Sequence, residues 1–81
     1  MGYLNPLLKL PAGQALLALP PEQRRAIAEV MRDLRAEANT KAEESWRRRK
    51  APMAAYWRAV STYARHVAHA LERRQLAEES R

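Results

Sequence analysis

Few side chains in this chain have the type and spacing for chemistry. His66, His69 and Glu72 fall three residues apart, a spacing that gathers ligands on one helical face. No fourth ligand completes a tetrahedral set, and Arg65 and Arg73 set positive charge beside the trio, so the histidines read as polar-face residues with His69 near Glu72. Ser45, Ser61 and Ser80 have no base at a telling distance in sequence, there are no cysteines, and two glycines do not make a phosphate-cradling loop. Most carboxylates have an arginine as helical neighbour. No catalytic residue, metal ligand or cofactor is expected, and the chain is not read as an enzyme.

The chemistry that remains is charge recognition. Net charge is +6, the isoelectric point is near 10.5, and twelve of the fifteen cations are arginine, the residue suited to carboxylate and phosphate. Residues 46–74 carry eight cations against one acid, whereas residues 21–45 carry five cations against six acids. Within the basic segment, residues 46–57 read WRRRKAPMAAYW and hold three of the five aromatic side chains. Cations at a helix end meet unpaired carbonyls and the negative end of the dipole, so part of this stretch is a helix terminus. Arg49, Lys50, Arg58 and Arg65 have no acidic neighbour at helical spacing, and Tyr56 and Tyr63 form a seven-spaced row of their own. Arginine and tyrosine are enriched where interfaces concentrate their energy. These six residues are the expected partner-binding set, with an acidic surface on another protein as the partner. Nucleic acid taken by the same basic face is the alternative, and a structural or assembly subunit is a second.

The elements that must position those groups are helical. Alanine, leucine and arginine dominate, phenylalanine is absent, and prolines at 6, 11, 20, 21 and 52 divide the chain. Residues 1–20 read as a leucine-rich arm, with a short helix from Pro11. Pro21 opens a helix over 21–50, with Glu22 suited to its N-terminal dipole and an apolar stripe at Ile27, Val30, Met31, Leu34, Ala38, Ala42 and Trp46. Pairs spaced by four, Glu37 with Lys41, Glu43 with Arg47 and Glu44 with Arg48, run down its sides. Thr40 to Glu43 matches a capping box, which leaves a break near Asn39 open. A second helix, 53–76, follows Pro52 with a seam at Met53, Trp57, Val60, Ala64, Val67, Leu71 and Arg74, and residues 77–81 form a tail. Pro52 stands at the first helical position with Ala51 pushed out of helical geometry. The connection is too short for anything but antiparallel neighbours. Trp46 and Trp57 are expected to meet across the turn and close that end of the core.

The expected architecture is thus all-α: one domain, 1–81, an antiparallel helical hairpin with a leucine-rich arm. Seven leucines in the first nineteen residues exceed what two helices cover, so a homodimer is expected. Pro6, Lys9 and Pro11 interrupt the N-terminal apolar run before a signal sequence or membrane span forms, and Pro6 sits where a myristoylation signal from Gly2 needs Ser or Thr. No membrane role and a cytoplasmic location are the expectations. The blocks LPPEQRRAIAEVMRDLR and WRRRKAPMAAYWRAV resemble short Ala/Arg-rich helical accessory proteins of proteobacterial phages and prophages, over about residues 19–74. That resemblance implies a small non-enzymatic protein that binds and alters a host protein.

Overall fold

The computed structural model describes residues 5–80, so the expectations for Gly2 and Leu4 lie outside the described residues. A 3₁₀ turn, Pro6–Lys9, leads into α1 (Pro11–Leu17), α2 (Pro21–Arg47) and α3 (Ala51–Glu79). The protein is all-α, and α2 and α3 pack side by side as an antiparallel hairpin. At ~1.5 Å per residue the two long helices run roughly 40 Å each, within overall dimensions of 49 × 24 × 23 Å. Among the described residues, no helix is long and apolar enough to cross a membrane.

Both long helices carry a proline in their first turn because the first N–H groups of a helix have no intrahelical partner to lose. In α3 the helix begins at Ala51, so Pro52 is second rather than first, and Lys50 takes the non-helical cap position instead of Ala51. α2 does not break at Asn39. Thr40 Oγ1 donates back to the Ala36 carbonyl at 3.2 Å, so its side chain serves the helix interior, not a new N-terminus. At the other end α3 continues through Glu79, absorbing most of the stretch expected as a tail, of which Arg81 lies outside the described residues. Of the three acid–base pairs expected along α2, Glu44 with Arg48 closes, at 3.4 Å.

The hairpin turns through a two-bond wrap. Arg49 N–H donates to the Trp46 carbonyl and Lys50 N–H to the Ser45 carbonyl, both at 2.9 Å, and Arg49 adopts φ 58°. This is the left-handed helix stop that glycine usually fills. The chain therefore reverses at residues 48–50, before Pro52 is reached.

The seam is made of small residues. Among the described residues the buried apolar side chains are Ala28, Ala38 and Ala42 of α2 with Ala54, Ala64, Ala68, Ala70 and Leu71 of α3. Along α3 the inward positions are 54, 57, 61, 64, 68 and 71, alternating three and four. The expected seam shared 57, 64 and 71 but centred on the bulkier Met53, Val60 and Val67. Alanine and Ser61 at the interface let the helices approach closely, and the branched side chains are displaced to the flanks, where Val60 and Val67 are half-buried. The same rotation in α2 leaves Val30 exposed and Trp46 68% exposed, so Trp46 does not close the core. The ring that packs on Trp57 is Tyr56, edge-on with centroids 5.0 Å apart.

The arm lies on α3 near the open end of the hairpin. Asn5 anchors it: its Oδ1 accepts from Leu7 N–H and its Nδ2 donates to the His66 carbonyl at 2.7 Å. Most described arm leucines become half-buried there, with Leu10 exposed. Arg24, only 2% exposed, ties three elements together. Its guanidinium makes a two-pronged contact with the Glu78 carboxylate and also reaches the Leu17 carbonyl at 3.4 Å. The hydrogen bond from Arg24 holds the Glu78 carboxyl down to about 2, well below its ordinary range; burial opposes this and Arg74 adds to it.

Candidate binding surface

Helical geometry sorts the six expected contact residues before any contact is considered. At about 100° per residue, Arg58 and Arg65 lie roughly 20° apart on α3, while Tyr56 and Tyr63 lie roughly 140° to 180° from them. The arginines and tyrosines therefore do not share a face. Arg58 and Arg65 border one edge of the hairpin, where Arg58 Nη1 donates to Asn39 Oδ1 at 3.1 Å. Tyr56 and Tyr63, 56% and 60% exposed, stand on the far side of the seam. Lys50 borders a recess of 220 Å³ on that opposite edge, with Lys41, Glu44, Arg48, Met53 and Trp57, and Arg49 sits at the corner between the two edges.

On the arginine edge two recesses adjoin. One, of 540 Å³, is lined by Arg32, Arg35, Arg65, Ala68, His69 and Glu72; the other, of 170 Å³, by Arg35, Asn39, Arg58, Ser61, Thr62 and Arg65. The hairpin thus offers more concavity than its length suggests, because alanine and serine in the seam leave room beside it. Arg35 and Arg65 belong to both recesses. Arg35 falls at seam spacing, seven from Ala28 and Ala42, yet is exposed. The open end is closed off by ion pairs, Arg32 with Glu72 at 2.7 Å and Arg25 with Glu79 at 3.7 Å. Among the described residues, none of Arg35, Arg58 and Arg65 has a carboxylate within ion-pair distance.

Three guanidiniums around one recess repel each other until an anion enters, and the aliphatic stems that form its walls lower the local dielectric and focus the field. Ser61, Thr62 and Asn39 add neutral hydrogen-bonding groups at the same place. At the corner end, Trp46 extends this edge: it is seven residues beyond Asn39, hence about 20° from it around α2. The aromatic ring on this edge of the hairpin is therefore Trp46, not a tyrosine, standing about two turns beyond the recess that Asn39 lines. Sequence reasoning missed both Arg35 and Trp46 by placing the seam of α2 half a step from its true position. The heptad relation of Arg32, Asn39 and Trp46 is the signal that finds the edge.

His66 is half-buried at the arm, its ring edge-on to Tyr63 with centroids 6.2 Å apart, and His69 lines the larger recess. Compared with protein-family models, curated proteins and solved structures, the chain matches none of them.

Proposed function

We propose that this is a small non-enzymatic binding protein that holds an acidic surface of another protein in the recess bounded by Arg35, Arg58 and Arg65, with Trp46 as the apolar anchor at its corner end. The observation that carries this reading is the convergence of three guanidiniums on one concavity with, among the described residues, no carboxylate paired to any of them. Arginine and tryptophan are the residue types that dominate interface energetics. The resemblance to phage accessory proteins adds a host protein as the source of that surface.

The charge layout favours a local acidic cluster over a long polyanion. Glu72 and Glu79 sit at the open end of the same edge, where a duplex laid along the hairpin would bring its phosphates. A capture experiment from host lysate with nuclease treatment separates the two. We expect the captured protein to survive nuclease and to be lost from Arg58→Glu/Arg65→Glu by more than tenfold, with Tyr56 and Tyr63 substitutions leaving capture intact. Loss of all captured material on nuclease treatment establishes the nucleic-acid reading instead.

A further inference from the structure

The side of α3 that carries the tyrosines has a different character and a different occupant. We propose that it is the interface between two copies of this chain, which pair α3 against α3 in antiparallel fashion about a two-fold axis near residue 58. This inference is independent of the acidic-partner reading, since it uses the opposite side of the hairpin.

Three observations point to a second copy. Met53, Tyr56, Val60 and Tyr63 form a stripe spaced three, four, three, which reads the same from either end. Two antiparallel copies therefore meet in register, Met53 against Tyr63 of the partner subunit and Tyr56 against Val60 of the partner subunit. Each pairing sets an aromatic ring against a flexible or branched aliphatic chain, and the thioether–aromatic contact is favourable in itself. Three of its four members are open, Met53, Tyr56 and Tyr63 all 45% exposed or more, with Val60 half-buried between them, although the arm covers α3 further along.

The second observation is charge. In a chain of net charge +6, copies repel on most faces, yet residues 51–64 hold a single ionic group, Arg58, which is turned to the other edge and bonded to Asn39. About four turns of helix, roughly 20 Å, thus present an uncharged face. Mixed charges, Lys41, Glu44 and Arg48, border the recess that Met53 and Trp57 share. An uncharged centre rich in tyrosine and methionine inside a polar rim is the anatomy of an interface.

The third is the thinness of the core. Among the described residues seven of the eight buried apolar side chains are alanines, so the hairpin buries little apolar area for its length. A small core of this kind gains stability from burial between chains, and a second copy is the partner present wherever the chain is. The leucine arm, the expected reason for dimerisation, is already half-covered by its own chain and is not the surface involved.

The test is sedimentation equilibrium of the full chain over about 1 to 100 µM, the range in which a modest interface declares itself. We expect twice the 9.3 kDa chain mass, and a dimer weakened roughly 30-fold or more by Tyr56→Glu or Tyr63→Glu. Should either variant lose helicity, a second measurement decides. The chain has no cysteine, so Ala59→Cys, between the two tyrosines, and Thr62→Cys, in the arginine recess, are clean reporters for a short bis-maleimide. Ala59→Cys is expected to give a covalent dimer and Thr62→Cys is not. A single-chain mass across the whole range, or cross-linking through Thr62→Cys but not Ala59→Cys, overturns the proposal.

Discussion

Arg49 occupies a backbone conformation in which any β-carbon crowds the following carbonyl. A left-handed residue other than glycine costs roughly 1 to 2 kcal/mol, and at φ 58° Arg49 bears that cost at the tip of the hairpin. Arg49→Gly is expected to raise unfolding free energy by about 0.5 to 1 kcal/mol, read as a higher denaturant midpoint with unchanged slope; an unchanged or lower midpoint refutes the strain. At the opposite end, Glu78 binds its proton only at about 2 in the folded chain, against an ordinary value of 4.5. Between those values the unfolded chain holds more protons than the folded one, so stability rises with pH there. Glu78's contribution is complete above about pH 4.5 and disappears as pH falls to about 2. Glu78→Gln should melt lower than the native chain at pH 7, because Arg24 keeps its burial and loses its partner. The gap between the two melting temperatures should close as pH drops through that window. A gap constant from pH 7 to 2 refutes the linkage. Neither structural role was marked by the sequence: Arg24 and Glu78 are 54 positions apart, and Arg49, in a run of four cations, reads there as a contact residue and not as a helix stop.

Helix identities and the hairpin were legible because period, proline position and loop length each act within a few residues. The rotation of the helices about their own axes was not. An apolar pattern ranks Val60 above Ser61 and Trp46 above Ser45 by hydrophobicity, whereas the packed pair selects the side chains that let two backbones approach. That single misplacement put Trp46 in the core; the grouping of arginines with tyrosines was a separate slip, since their spacing alone sets them on different faces of α3. The six expected contact residues are all exposed, but of them only Arg58 and Arg65 line a common recess. The arm shows the same preference for close approach. A β-carbon on Gly13 would stand 2.0 Å from the Leu7 carbonyl oxygen, so α1 folds against the 3₁₀ turn only because that position is bare. Gly13→Ala, favourable by about 1 kcal/mol in an isolated helix, is expected to destabilise this protein instead, with faster amide exchange across residues 5–19 as the arm lifts. Unchanged exchange in the arm refutes the close fit.

The whole molecule is two rods with different business on their two sides, cations around a recess on one and an uncharged aromatic stripe on the other. If the stripe joins two copies, melting temperature must depend on protein concentration by mass action. We expect the midpoint to climb by several degrees across a hundredfold range, while Tyr56→Glu/Tyr63→Glu melts at a concentration-independent temperature; a concentration-independent native midpoint counts against association. The alanine seam has a further consequence. A methyl group looks alike at every level of a helix, so the seam itself offers little to distinguish one alignment of the rods from another a heptad away. The alignment is instead set from outside by Arg24 with Glu78, Arg32 with Glu72, and Arg58 with Asn39. These ties work as the notches of a ruler laid along an otherwise unmarked edge, and erasing them would leave the turn at residues 48–50 to hold the alignment alone.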